Sequence, residues 1–315
     1  ATGIGALAGL LPGAPASSPT VNVGWVQGGR GDSGYYGLGE ARSTVTRHLA
    51  ETDRLLGEVA AGSLPRPDFL AWPENGTDMD PYLDGPTYAG VMTAVAESGL
   101  PVLVGSPVSG PGPGQRQTSM LWFDGDGIAA RYDKRNLVPF GEWIPFRAEL
   151  LPLVPLLSEI GDDAVPGGEP GVLSVADAAG RPLQVGTAIC FEVAFPATMR
   201  DAFAHGAELM VVGSNNAMFQ STPQLEQQFA ITRVRAAEAR RQILVVTVSG
   251  ASGLIDDHGR AIMRATEGGP DSGVATMTRT RALGPYVAGG WVREYLLGAG
   301  AAAGRAQRRQ HLVVD

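Results

Sequence analysis

Short apolar runs of strand length alternate along this chain with longer segments whose apolar residues recur at helical spacing, and this alternation restricts the fold more than any other feature. Val21 to Gln27 (VNVGWVQ), Asp68 to Trp72 and Pro101 to Pro107 have the length and residue types of strands. Between them, Glu40 to Ala60 carries Val45, Leu49, Leu55, Leu56 and Val59 at helical intervals, and Pro86 to Ala96 predicts a second helix. Thr118 to Phe123 and Gly127 to Tyr132 flank Asp124-Gly125-Asp126-Gly127 and predict a hairpin. Leu183 to Cys190, Glu208 to Gly213 and Ile243 to Ser249 predict buried strands, alternating with helices near Pro196 to His205 and Pro223 to Arg241. There is no internal repeat. The order predicts an α/β fold, one sheet-rich domain covered by helices. Trp143 to Pro170 fits neither period.

With 315 residues, 44% of them hydrophobic, the chain can bury a full core. A net charge of -8 excludes general nucleic-acid binding, because no basic stripe is available to neutralise phosphates. Residues 1–19 are Gly/Ala/Pro-rich and are expected to be a linker or the remnant of a preceding membrane segment. Residues 20–285 form the expected sheet-rich domain. In the tail, 286–315, Tyr295 to Gly304 is an apolar run followed by Arg305, Arg308 and Arg309. Ten residues are too few to span a bilayer, so a surface helix beside a membrane or the remnant of a membrane segment is expected there. Arg30-Gly31-Asp32 is a chance match. Asn75-Gly76-Thr77 fits a glycosylation acceptor in a place where a glycan would block a site.

Of the 24 basic residues, all but Lys134 are arginine, and Cys190 is the single cysteine. Disulfides within the chain and cysteine-rich zinc sites are therefore excluded. Cys190 ends the apolar run LQVGTAIC, where α/β sheets expose their sites, and a helix start close behind it is expected to favour the thiolate. By position alone, a reactive thiol and an inert buried one remain open. His48, His205, His258 and His311 lie in no dyad context, so a base must come from the acids. Glu74 closes the run FLAWPE. Lys134 stands where this chain otherwise writes arginine, which points to a need for a compact ammonium. Glu142 follows in Val138-Pro139-Phe140-Gly141-Glu142, and Glu192 lies two residues beyond the thiol.

Trp72-Pro73-Glu74, Lys134 and Ile189-Cys190-Phe191-Glu192 resemble the Glu-Lys-Cys triad of the nitrilase superfamily of carbon–nitrogen hydrolases. More narrowly, Tyr132 to Phe146 (YDKRNLVPFGEWIPF) resembles the signature of the apolipoprotein N-acyltransferases. The resemblance runs from about Val21 to Pro285 and implies a four-layer αββα sandwich. It implies Cys190 as nucleophile on a phospholipid ester, Glu74 as general base and Lys134 as oxyanion partner, with the Phe191 N–H as a second donor. Glu142 would orient Lys134 or the incoming amine, and Glu192 matches a position tied to activity. The implied partners are a glycerophospholipid acyl donor, a diacylated lipoprotein acceptor and a membrane surface, at the extracytoplasmic face of a bacterial plasma membrane. No metal or organic cofactor is implied.

The chain departs from the family at Ser214-Asn215-Asn216-Ala217-Met218-Phe219-Gln220, where an Asn-Asp pair and Ala-Trp-Phe-Gly are usual, and at Ser249-Gly250, where Asn-Gly is usual. Trp143, Leu153, Leu156 and Leu157, in the proline-punctuated stretch, predict either a broken core segment or a mobile arm that dips into lipid and gates Cys190. Two other readings stand beside the acyltransferase. One is a soluble carbon–nitrogen hydrolase with the same triad. The other is a silent lipid-binding module.

Overall fold

Strands that are apolar on both faces need a cover on each side. The computed structural model, which describes residues 18–31, 40–219 and 222–289, supplies those covers in four layers. The expectations for residues 1–17 and for the tail from 290 onward fall outside the described residues.

The first sheet contains β1 (Thr20–Gln27), β2 (Phe69–Ala71), β3 (Val102–Ser109), β4 (Gln115–Asp124), β5 (Gly127–Asp133) and the short β6 (Asp163–Ala164). The second contains β7 (Val172–Ala176), β8 (Pro182–Ile189), β9 (Leu209–Ser214), β10 (Ile243–Thr247), β11 (Gly253–Ile255) and β12 (Ala261–Arg264). The chain then returns to the first sheet as β13 (Asp271–Thr278), antiparallel to β1. The strand orders are β13-β1-β2-β3-β4-β5, with β6 on β4, and β12-β11-β10-β9-β8-β7. The central pairs β1/β2, β2/β3, β8/β9 and β9/β10 are parallel, and each sheet is finished by antiparallel strands.

Period two along each inner strand separates the layers. Val23 and Trp25 of β1, Phe69 and Ala71 of β2, and Met120 and Trp122 of β4 point between the sheets. There they meet Leu183, Val185 and Ile189 of β8, with Val211 and Leu244 beside them. The alternate residues Val26, Leu70, Val104, Leu121 and Phe123 face outward. They are covered by α1 (Ser43–Ala60), through Val45 and Leu55, and by α2 (Gly85–Ser98), through Val91 and Val95. Asp84 caps α2, its carboxylate accepting the Thr87 N–H at 3.0 Å, with Pro86 in the first turn and Gly99 closing it at φ +63°. A lone turn, α3 (Arg147–Leu150), lies in the proline-rich stretch. Met210, Val212, Ile243 and Val245 of the second sheet are covered by α4 (Pro196–Ala204) and α5 (Gln224–Ala239), with α6 (Pro285–Ala288) at the end. The sequence-derived αββα arrangement is the one observed.

Two local expectations change. β8 ends at Ile189, not Cys190, because Cys190 turns the chain at φ +50° into a 3₁₀ turn, Cys190–Ala194. β7, β11, β12 and β13 were not anticipated. β12 is largely exposed and carries no apolar alternation to announce it. No helix among the described residues is long and apolar enough to cross a membrane.

Candidate active site

Strands of both sheets deliver their carboxyl ends to one place. Glu74 leaves β2, Lys134 follows β5, Cys190 follows β8 and Asn215 follows β9, so residues from both sheets converge there, as ligand sites do in α/β sheets. A cavity of about 730 Å³ opens there, lined by Glu74, Lys134, Glu142 and Cys190 among others.

Glu74 is set by a tight crossing of chain segments. The Pro73 carbonyl accepts from Gly105 N at 3.1 Å and Gly76 N at 2.9 Å. A Cβ on Gly105 would lie 2.4 Å from the Pro73 oxygen and 2.5 Å from Glu74 Cα, so only glycine lets β3 pass beneath the acid. Beyond it, Asn75 sits at φ +56°, a left-handed conformation that asparagine tolerates. Glu74 Oε2 then accepts the Asn215 N–H at 2.7 Å, which ties the acid to the second sheet. Asn75 Oδ1 accepts from Asn215 Nδ2 at 3.1 Å, so its side chain is engaged inside the site.

Lys134 is 2% exposed. Its Nζ donates to Glu74 Oε1 at 3.1 Å and to Glu142 Oε1 at 3.0 Å. Glu142 is held from the other side by the Val138 N–H, 2.8 Å from Oε2, and by Thr118 Oγ1 at 3.4 Å from Oε1. Burial acts to lower the Lys134 pKa, but the negative charge of Glu74, of Glu142 and of a Cys190 thiolate outweighs it, and the net shift is upward. The ammonium therefore stays charged although buried.

Cys190 is half-buried, with one side on the cavity. The expected stabilisation of a thiolate is not what the site provides. Burial first, and the adjacent Glu74 carboxylate with its hydrogen bond to the thiol second, push the Cys190 pKa up to about 12, against a smaller opposing pull from Lys134. A five-residue 3₁₀ turn is too short to offset that burial. Cys190 is therefore a neutral thiol beside a carboxylate.

Glu192 is fully buried beneath the turn and does not line the cavity. Its Oε1 accepts from Arg135 N at 2.8 Å and Asn136 N at 3.2 Å, and its Oε2 from Ile189 N at 2.8 Å. The Tyr132 hydroxyl lies 2.8 and 2.9 Å from the two oxygens. Glu192 thus fastens the Lys134 segment to the Cys190 turn. Burial raises its pKa, against the backbone donors that favour the charged form. Phe191 points away from the cavity, its ring edge-on to Phe195 at 5.2 Å.

The proline-rich stretch forms one wall. It folds as α3 and a 3₁₀ turn, Pro155–Ile160, stapled at its base by Arg147 to Asp163 at 2.7 Å. Leu156, Leu157 and Ile160 line the cavity, while Leu153 and Leu156 are 76% and 77% exposed. Trp143 is half-buried and does not reach the cavity. Met218 and Phe219, from the segment that departs from the family pattern, also line the cavity. Thr118, Arg116 and the Asn215 backbone also belong to the site and were missed from the sequence. Only the pairing of β4 with β5 and β6 shows that Thr118 and Arg116 approach Lys134.

Residues 54–283 match the carbon-nitrogen hydrolase family. The chain is 35% identical over 252 residues to the apolipoprotein N-acyltransferase of Mycolicibacterium smegmatis, covering 78% of this chain and 41% of that protein. It is 32% identical to that of Synechocystis sp., covering 66% and 39%. The chain therefore spans about two fifths of the length of these curated relatives. Among solved structures, the amidase from Nesterenkonia sp. AN1 in complex with butyramide superposes with a TM-score of 0.58 at 16% identity, covering 89% of this chain and 97% of that one. The same amidase with the acetamide moiety of fluoroacetamide added at its active-site cysteine gives 0.56, again at 16% identity. That likeness concerns the fold, whereas the family match covers most of the described residues: the chain belongs to the carbon–nitrogen hydrolase family.

Proposed function

We propose that this chain carries the catalytic domain of an apolipoprotein N-acyltransferase working at the extracytoplasmic face of a bacterial membrane. Its donor is a glycerophospholipid, and its acceptor is the α-amino group of an N-terminal diacylglyceryl-cysteine. The observation that carries the reading is the neutral Cys190 thiol beside Glu74, with Lys134 between two carboxylates, at the floor of a cavity walled by Val138, Phe140, Leu156, Leu157, Met218 and Phe219. The names of the curated relatives support the same reading.

In the first half-reaction Glu74 takes the thiol proton as Cys190 Sγ attacks the ester carbonyl. Lys134 Nζ faces the developing oxyanion and keeps Glu142 as its partner while Glu74 becomes neutral, with the Phe191 N–H as a second donor. Collapse breaks the bond to the glycerol oxygen, which takes the proton from Glu74 and leaves as lysophospholipid. In the second half-reaction the neutral amine attacks the thioester, Glu74 receives the amine proton, and the expelled sulfur regains it as the amide forms. Dividing the transfer into two steps avoids a direct attack of amine on a lipid ester. The apolar walls suit acyl chains and keep water from the thioester.

Intact-mass measurement with phospholipid tests the reading. The expected result is an acyl adduct on Cys190 that persists in water and disappears on adding a diacylated lipopeptide, which gains the same mass. An adduct lost to water as fast as to lipopeptide supports the alternative, a hydrolase of the same family. No adduct under any condition overturns both.

A further inference from the structure

Arg116 is the one arginine among the described residues lining the cavity that holds Cys190. Most cavity walls here are apolar or acidic, so a guanidinium in that position requires an explanation. Its Nε donates to the Asp162 carbonyl at 3.0 Å and its Nη2 to the Glu142 carbonyl at 3.3 Å. Both acceptors are neutral backbone oxygens. Among the described residues no carboxylate lies within ion-pair distance of Arg116, in contrast to Lys134, which is shared between two. The backbone contacts fix the plane of the fork and leave Nη1 without a partner among those residues.

The position along β4 sets the distance. Thr118 Oγ1 donates to Glu142 Oε1 at 3.4 Å, the same oxygen that accepts from Lys134 Nζ at 3.0 Å, so the Thr118 side chain stands beside the ammonium. Arg116 is two residues outward on the same face of the strand, about 7 Å away at a strand's rise per residue. In a glycerophospholipid the ester carbonyl and the phosphorus are separated by a glycerol backbone, which is a span of that order. Besides the Cys190 thiol, the ionisable side chains lining the cavity are Glu74, Asp78 and Glu142 against Lys134 and Arg116. Without Arg116, an anionic donor would approach three carboxyl groups and one ammonium already engaged by two of them.

We infer that Arg116 is the specificity-determining residue that receives the phosphodiester of the acyl donor while its ester carbonyl lies at Cys190. This rests on the acyltransferase reading above. Planar guanidinium and phosphate oxygens match in a bidentate, charge-assisted pair, which lysine cannot reproduce.

The test compares Cys190 acylation of the full chain by phosphatidylglycerol and by a diacylglycerol with the same acyl chains, in the same neutral detergent. Wild type is expected to prefer the phospholipid. In Arg116→Gln the ratio of the two rates is expected to fall on the order of 10- to 100-fold, and Arg116→Lys to recover part of it. Equal slowing of both donors would reveal a purely structural clamp on the Glu142 and Asp162 backbone and overturn the inference. So would a wild-type enzyme that takes acyl groups from both donors equally, or an Arg116→Gln variant with the wild-type ratio. In those cases the adduct still forms and the acyltransferase reading survives. Absence of any adduct from phospholipid in wild type removes that reading, and the inference with it. Inorganic phosphate separates a headgroup from a free anion: Arg116-dependent inhibition of the diacylglycerol reaction at low millimolar phosphate would assign the site to the free anion instead.

Discussion

The Glu192 carboxylate and the Tyr132 hydroxyl meet at 2.8 and 2.9 Å, joining the strand before Lys134 to the turn that carries Cys190. Neither residue lines the cavity, yet the relative position of ammonium and thiol depends on this contact and on the three backbone N–H groups that Glu192 also accepts.

Replacing Glu192 by Gln keeps the shape but turns one acceptor into a donor facing backbone N–H groups. A loss of about 2–3 kcal/mol is expected for stranding a buried donor among donors. Thermal unfolding reads this as a Tm lowered by several degrees, with Cys190 acylation reduced more than 100-fold. Tyr132→Phe, which removes only one of the donors, should be milder in both. Equal stability of E192Q and wild type would contradict the positioning role.

Lys134→Arg keeps the charge but replaces a compact ammonium by a broad fork. Nζ stands at 3.0 and 3.1 Å from two carboxylates in a space where the residue is 2% exposed, and a guanidinium cannot occupy it without displacing one of them. Acylation should fall about 100- to 1000-fold, the usual consequence of losing an oxyanion donor. Circular dichroism confirms that the fold persists. Near-normal turnover would show the solitary lysine to be accidental.

Because Cys190 is the single cysteine, alkylation followed by intact mass reports its ionisation alone. With the thiol pKa pushed up to about 12, the rate with iodoacetamide should still be climbing at pH 10. Glu74 is one cause of that elevation, so Glu74→Gln should alkylate faster than wild type at pH 8 although acyl transfer is lost. The thiol binds its proton more tightly folded than unfolded. Its contribution to stability is therefore present below about pH 9 and lost as pH rises toward 12. Wild type should lose more stability than Cys190→Ala over that range. The upward shift of Lys134 works in the same direction; Glu74 and Glu142 sustain it in both proteins, and the part due to the thiolate is present only in wild type.

Leu153 and Leu156 expose most of their surface on the wall that also lines the cavity. Replacing both with Ser should change stability by less than about 0.5 kcal/mol, as expected for exposed positions. Acyl transfer from lipid in vesicles should drop severalfold while cleavage of a short soluble ester is retained. Adding Leu157→Ser, which is half-buried, should deepen the effect on lipid. Equal loss on both substrates would assign the segment to the core.

Some of this was readable without coordinates, because it depends on local order. The runs at β1, β8, β9 and β10 are apolar enough to demand cover on both faces, and the helical spacing of Val45, Leu49 and Leu55 names part of that cover. Glu74, Lys134 and Cys190 each end or follow such a run, so their motifs are compact in sequence. β13 escaped notice because its partner, β1, lies some 250 residues away, and its own pattern is only partly alternating. Arg116 escaped because nothing in Gln115-Arg116-Gln117 differs from a surface strand until β6 and the proline-rich wall fold beside it.

The sequence by itself determined the α/β layering and the identity of a lone amine, a lone thiol and the acids near them in motif. Tertiary structure decided how those groups behave. The thiol was expected to ionise from its place near a helix start, but burial and a carboxylate contributed from 116 residues upstream keep it protonated. Lys134 remains charged in the interior only because two acids, 60 residues before it and 8 after, close on the same nitrogen. Desolvation and charge act through space, so proximity across the two sheets set the chemistry that residue order had only named.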